Sequence, residues 1–351
     1  MIMKALRISA AVASVIILSF LIFILGKLEP PQITEEKKEE TGYICPENEN
    51  IILSHAPGVY SEGFELLLKC ANSEYTVCFT ADCSFPTPLS DSEKISISPK
   101  ENEATVIRAT CFDKNGKQVG EAVSASYFIT DKERFSTMIV SLVSDEKDLY
   151  GYENGILVNG KLWDESKNTL SEFQMSQKYL FGQFNWKMTG KEWERKTNVS
   201  FFDADGSILL SQNGGIRVQG GLMRHFSQKS LRIFARYEYS SKNEFKNVVF
   251  PNLSSSTATA VDEFKTLVLR NGGNQNNNDI IHNAVMMRLA EDAEVEAPKL
   301  RYACVFLNGK YYGLMCLMED FSRDYIETHY GIPSEEVVII GNSITPDEKI
   351  L

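Results

Sequence analysis

Apolar and polar positions alternate through much of the chain. Phe64, Leu66, Leu68 and Cys70 fall at every second position, as do Tyr75, Val77 and Phe79, and then Ile95 and Ile97. A period of two marks a half-buried strand. Looser alternation from Val106 to Ala109 and a run from Val123 to Ile129 extend the pattern, while Pro57-Gly58, Pro86-Thr87-Pro88 and Lys114-Asn115-Gly116 mark turns. Residues 51–130 are expected to form a small β-sandwich.

Further strands are expected from Thr137 to Val143, Thr197 to Phe202, Ile208 to Leu210, Ile216 to Val218, Ser230 to Ala235 and Phe264 to Arg270. Arg301 to Leu307 and Tyr312 to Met318 read as a hairpin around Asn308-Gly309, a type I′ signal. Asp203-x-Asp205-Gly206 reads as a turn rather than a calcium loop. Ile281, Val285 and Leu289 recur every four residues, so a helix with one apolar face is expected from Asp279 to Ala290, capped by Asn278 or Asp279. Phe321 to Tyr330 reads as a second helix, stopped by Gly331 and Pro333.

The N-terminus breaks this pattern. Lys4 and Arg7 precede nineteen uncharged residues, Ile8 to Gly26. At 1.5 Å per residue that run comes close to spanning a hydrocarbon layer of about 30 Å. No small-x-small cleavage site follows it, so residues 1–28 read as a signal anchor with the body outside; a cleaved signal peptide is the alternative. Residues 29–50 begin as a charged linker, with Pro30-Pro31 and alternating blocks of Glu and Lys.

The net charge of −11 argues against a bulk nucleic-acid binder, but leaves room for a local basic pocket. The chain has seven cysteines, an odd number. Cys78 and Cys83 find no second ligand pair for zinc, Cys304 and Cys316 read as buried thiols, and one bridge within residues 51–130 is compatible with the pattern. No metal-ligand set is legible.

Candidate chemistry centres on Gly214-Gly215-Ile216-Arg217-Val218-Gln219-Gly220-Gly221 and on Gln228-Lys229-Ser230-Leu231-Arg232-Ile233. These read as strand, glycine-rich bend and strand, with a lysine entering the second strand. Gly214-Gly215 alone is also consistent with a hairpin turn. Bare backbone at Gly220 and Gly221 could approach phosphate oxygens. Lys229 would supply a point charge, and Arg217 and Arg224 fork-shaped donors.

Taken with Phe202-Asp203-Ala204-Asp205-Gly206, Leu267-Val268-Leu269-Arg270-Asn271-Gly272-Gly273 and Leu307-Asn308-Gly309-Lys310-Tyr311-Tyr312-Gly313, these motifs resemble the CotH family of kinase-like spore coat proteins across residues 135–342. Residues 51–130 also resemble the chitobiase/β-hexosaminidase C-terminal type of module. The stretches that carry this second resemblance are Ala56-Pro57-Gly58-Val59-Tyr60, Tyr75 to Asp82, Phe112 to Gly116 and Tyr127-Phe128-Ile129. Such a module implies a spacer or a carbohydrate-associated domain.

The resemblances imply an α+β chain: transmembrane helix, β-sandwich, then the N-lobe-like part of an atypical kinase over 131–351. They imply ATP and magnesium as cofactors, a coat or cell-surface protein as phosphoryl acceptor, and a membrane-anchored extracellular location. A non-catalytic envelope scaffold is the other reading. Lys229, Gly220, Gly221, Arg217 and Arg224 would face the phosphates, and Met318, Glu319 and Asp320 would fall where a hinge meets adenine. Two departures stand out. The helix body from Ile280 to Ala290 holds no glutamate to pair with Lys229. The catalytic and metal-binding aspartates of the family would lie downstream of Leu351, so no catalytic residue is assigned in this chain.

Overall fold

Alternation dictates which face each strand buries, and in the computed structural model it builds two bodies, one all-β and one a β-barrel with added helices. The structure describes residues 42–89, 93–246, 250, 261, 263–273, 281–293 and 295–339. By its internal contacts the chain divides into Met1–Thr41 and Gly42–Leu351; the elements below belong to the second unit. The expected anchor over 8–26 and most of the charged linker lie outside the described residues. Among those residues no helix is long and apolar enough to cross a membrane.

The first body has two four-stranded sheets. One is β1 (Tyr43–Ile44), β2 (Ile51–Leu53), β4 (Phe64–Cys70) and β6 (Lys94–Ile97). The other holds β3 (Gly58–Tyr60), β5 (Thr76–Thr80), β7 (Thr105–Phe112) and β8 (Gln118–Ile129), in the order β3-β8-β7-β5. Leu66, Leu68 and Ile97 from the first sheet meet Val77, Ile107, Ala125 and Tyr127 from the second in one core. Cys70 and Cys111 form a disulfide between β4 and β7, and Cys45, Cys78, Cys83, Cys304 and Cys316 carry thiols.

The second body starts with β9 (Met138–Val143). A largely helical connection follows, with α1 (Glu146–Tyr150), α2 (Gly160–Ser166), α3 (Glu172–Ser176) and α4 (Lys178–Phe181). Next come β10 (Arg195–Phe202), β11 (Ile208–Val218), β12 (Leu231–Phe234), the short pair β13 (Phe245–Lys246) and β14 (Glu263–Phe264), and β15 (Thr266–Arg270). After these come α5 (His282–Asp292), β16 (Leu300–Leu307), β17 (Lys310–Glu319) and α6 (Arg323–Tyr330).

Seven strands close into a barrel in the order β10-β11-β12-β15-β17-β16-β9. Closure needs one parallel seam, where Ile139 of β9 registers with Cys304 of β16. Val140, Val199, Phe201, Ile216, Leu231, Ile233, Leu267, Val305 and Leu317 fill the interior. This overturns the expected α+β architecture with a kinase N-lobe, because the chain is mostly β with few helices. Alternation identifies the buried face of each strand but not which edges meet, and the return of β9 against β16 is what closes the sheet.

The two bodies share a core. Phe128 of β8 packs edge-on against Phe306 at 4.8 Å, Phe202 at 5.6 Å and Phe135 at 6.1 Å between ring centroids. Val59, Ala104 and Ile139 complete this cluster. The backbone amide of Ala104 donates to Gly309 O at 2.7 Å and that of Val59 to Gly206 O at 3.1 Å. Ser126 and Ser141 hydroxyls meet at 2.8 Å across the same junction.

Smaller readings follow the sequence. Asn308 and Gly309 take φ of 48° and 79°, as a type I′ turn requires. Asp203 to Gly206 is a turn, with the Gly206 amide on Asp203 O at 2.9 Å. The helix expected from Asp279 is described over His282–Asp292, so the Asn278 or Asp279 cap lies outside the described residues. Its apolar stripe is exposed: Val285 is 50% and Leu289 55% accessible.

Candidate functional site

The two glycine pairs play different parts. Gly214 and Gly215 lie inside β11 and make no turn. A Cβ on Gly214 would come within 2.6 Å of Phe234 O, and one on Gly215 within 2.4 Å of a Glu194 carboxylate oxygen. That pair makes room for close packing. Gly220 and Gly221 form the actual bend between β11 and β12. Gly220 has a φ of 107°, and a Cβ at either position meets nothing within 4 Å.

Lys229 does not reach into that open space. It is 5% accessible, its ammonium donates to Phe226 O at 2.7 Å, and it sits 5.4 Å from the Trp186 ring centroid. Its backbone amide donates to the Tyr312 hydroxyl at 2.6 Å. Among the described residues no carboxylate pairs with it. Burial pulls its pKa from the ordinary 10.5 down to about 8. Trp186 belongs to an aromatic pile carried by the helical connection, with Phe184 stacked at 4.4 Å. His225, beside the bend, stacks on Tyr179 at 4.6 Å.

Arg224 is likewise occupied. It is 8% accessible, and its guanidinium donates to Gly220 O, to Lys187 O at 2.8 Å and to Met188 O at 3.0 Å. Here it ties the bend to the helical connection. Glu319 is 3% accessible; it meets His329 Nε2 at 2.7 Å and accepts from the Lys299 amide at 2.7 Å. Neither side chain is free to meet a nucleotide in this arrangement.

Arg217 and Met318 lie in one row on the same wall, three strands apart, and of the two only Arg217 lines the cavity there. Arg217 registers with Arg232, Arg232 with Val268, and Val268 with Met318, in one row across β11, β12, β15 and β17. Interior positions alternate with this row, so it lies on the outer wall of the barrel. A cavity of about 680 Å³ opens there, lined by Lys191, Arg217, Arg232, Phe234, Arg236, Lys265, Asp320, Ser322, Arg323 and Asp324 among others.

Charge in this groove is unevenly satisfied. Arg232 bonds Asp320 at 2.7 Å, Arg236 bonds Glu194 at 2.9 Å, Lys191 bonds Glu238 at 2.7 Å and Lys265 bonds Glu327 at 2.5 Å. Arg217 and Arg323 form no ion pair among the described residues. Like charges directly opposite on adjacent strands repel. Burial, and after it the charge of Arg232, pull the Arg217 guanidinium pKa down. Burial pushes the Asp320 carboxyl up, against the pull of Arg232.

Helix α6 also starts in this groove. Its N-cap, Ser322, makes no side-chain cap bond, and its hydroxyl has no partner among the described residues. The helix therefore starts beside Arg217 and Arg323 with its positive end toward the groove, the Ser322 hydroxyl being buried. Arginines beside a helix N-terminus can attract a phosphate or carboxylate, while the carboxylates of Glu238, Asp320 and Asp324 line the same groove.

Sequence reasoning missed Arg232, Ser322 and Arg323 as site residues. A signal for Arg232 was present: pairing β11 with β12 through Val218 and Leu231 sets Arg232 opposite Arg217. Nothing comparable marks Arg323, because its place depends on where α6 enters the groove.

The fold and groove define a β-barrel protein with an arginine-lined groove on its outer wall. Residues 216–348, which supply all of the groove residues named above except Lys191, match the family model described as CotH kinase protein. No curated protein matches the chain. Among solved structures, a Corynebacterium diphtheriae protein described as membrane anchored aligns at 13% identity with a TM-score of 0.17, over 78% of this chain and 46% of that one. The chain thus spans about half the length of that protein, and so low a score carries no structural argument.

Proposed function

We propose that the outer groove binds the phosphates of a nucleotide, ATP in the first instance, as part of a CotH-type protein that transfers phosphoryl groups to hydroxyls of coat or cell-surface proteins. The observation that carries this reading is Arg217. Its guanidinium stands opposite Arg232 with no carboxylate of its own, in a cavity that also holds Arg323 and the open end of α6. An anion would relieve this repulsion and gain fork-shaped hydrogen bonds. Phosphoryl transfer depends on positioning and charge compensation, and the groove supplies both for the leaving end of a nucleotide.

The residues present do not fit magnesium. Among the described residues no three His, Cys, Asp or Glu side chains converge as ligands, and Asp320 is engaged by Arg232. The acceptor and the metal-bearing aspartates belong to the wider family reading, whereas anchoring through residues 8–26 rests on their uncharged apolar run. Titration calorimetry of the full chain with ATP tests the groove. Arg217→Ala is expected to weaken binding about tenfold or more, and raised salt to weaken the wild type. Lys229→Ala is expected to bind as the wild type does. Loss of binding in Lys229→Ala alone would return the site to the glycine bend.

A further inference from the structure

Arg217 has no anionic partner among the described residues, yet its guanidinium has a definite place, 5.1 Å from the centroid of the Phe234 ring. The same ring lies 4.7 Å from the guanidinium of Arg236. Arg236 is in turn held by Glu194, whose side chain is fully buried: Nε meets Oε1 at 2.9 Å and Nη2 meets Oε2 at 3.3 Å. Gly215 allows that carboxylate to lie against β11, two residues before Arg217. Glu194 also accepts a hydrogen bond from the Tyr239 side chain, whose pKa is raised by burial first and then by the charge of Glu194.

We infer that Phe234 is a positioning residue for the anion groove: its ring fixes Arg217 for phosphate, while Glu194 holds and neutralises Arg236 on the same ring. The inference rests on the groove being a phosphate site. An aromatic face attracts a guanidinium without neutralising it. Arg217 is thus held in place with its charge still available. A carboxylate in the place of Phe234 would position the arginine as well but would cancel that charge. Glu194 does just this for Arg236, and the two arginines consequently differ in role although they share one ring. Gly215, otherwise without a part in the groove, explains how a buried carboxylate fits there.

The test is a double-mutant cycle on the full chain, read by ATP affinity. Phe234→Leu is expected to raise Kd about fivefold in the wild-type background and to have no effect in the Arg217→Ala background. Phe234→Tyr, which keeps the ring, is expected to restore binding. A general structural defect would weaken both backgrounds equally and would overturn the inference. If Phe234→Leu binds ATP as tightly as the wild type while Arg217→Ala does not, the inference fails and the groove reading stands. If the wild type binds no ATP, the groove reading fails. The positioning claim is then read without ligand, by phenylglyoxal labelling and peptide mapping. Arg217 should react about threefold faster in Phe234→Leu than in Phe234→Tyr, relative to the other arginines in the digest. Equal rates would overturn it.

Discussion

Replacing Lys229 with methionine isolates the cost of keeping an ammonium beneath Trp186. The side chain is 5% accessible and has one carbonyl acceptor, Phe226 O, so burial sets its proton affinity. Its pKa falls from 10.5 to about 8. In the unfolded chain the amine returns to the ordinary value. Between about pH 8 and 10.5 the unfolded state therefore binds more protons than the folded one, and stability rises with pH across that window. The shift corresponds to about 3 kcal/mol, fully realised above the unfolded pKa and lost as pH falls through the folded one. Other groups titrate in the same range, including the buried tyrosines, so the useful quantity is a difference. Urea unfolding of the wild type and of Lys229→Met, run at matched pH, gives that difference directly. Wild-type stability minus variant stability should climb by about 3 kcal/mol from neutral pH to about pH 10.5. A difference that stays flat within about 0.5 kcal/mol would show that the amine is solvated and would refute the reasoning.

Other expectations follow from packing. Gly215→Ala should cost about 2 kcal/mol or more, because the new methyl meets Glu194 and Tyr239, whereas Gly221→Ala, with nothing within 4 Å, should change stability by less than about 1 kcal/mol in the same urea titration. Phe128→Ala should lower stability by about 3–5 kcal/mol, since its ring joins the module to the barrel through Phe306, Phe202 and Phe135. Thermal unfolding checks this: a melting temperature unchanged from the wild type would mean that the two bodies do not rely on the shared core.

Much of the strand content was legible because alternation survives in the sequence. Leu66 and Leu68 in the first body, and Leu231 and Ile233 in the second, declare their buried face without reference to partners. The closure of the barrel was not legible. It depends on β9 meeting β16 in parallel, a pairing between residues about 165 apart that leaves no local mark. The site was half legible for a related reason. Arg217 and Met318 were picked out by resemblance, and strand register explains why they share a wall. Lys229, Arg224 and Glu319 carry the right chemistry, but their surroundings consume it: Phe226 O, the carbonyls of Lys187 and Met188, and His329 all come from segments whose placement only the fold decides. Gly214 and Gly215 look like a flexible turn in sequence and turn out to be close packing inside a strand.

We propose that phosphate binds on the outer wall of the barrel rather than over the glycine bend. Hydrogen–deuterium exchange of the full chain with and without ATP locates the ligand most directly. Protection is expected at the start of α6, around Ser322 to Asp324, and along β12 around Arg232, with the bend from Gly220 to Gln228 unchanged. Protection confined to that bend, with α6 and β12 unaffected, would contradict the claim.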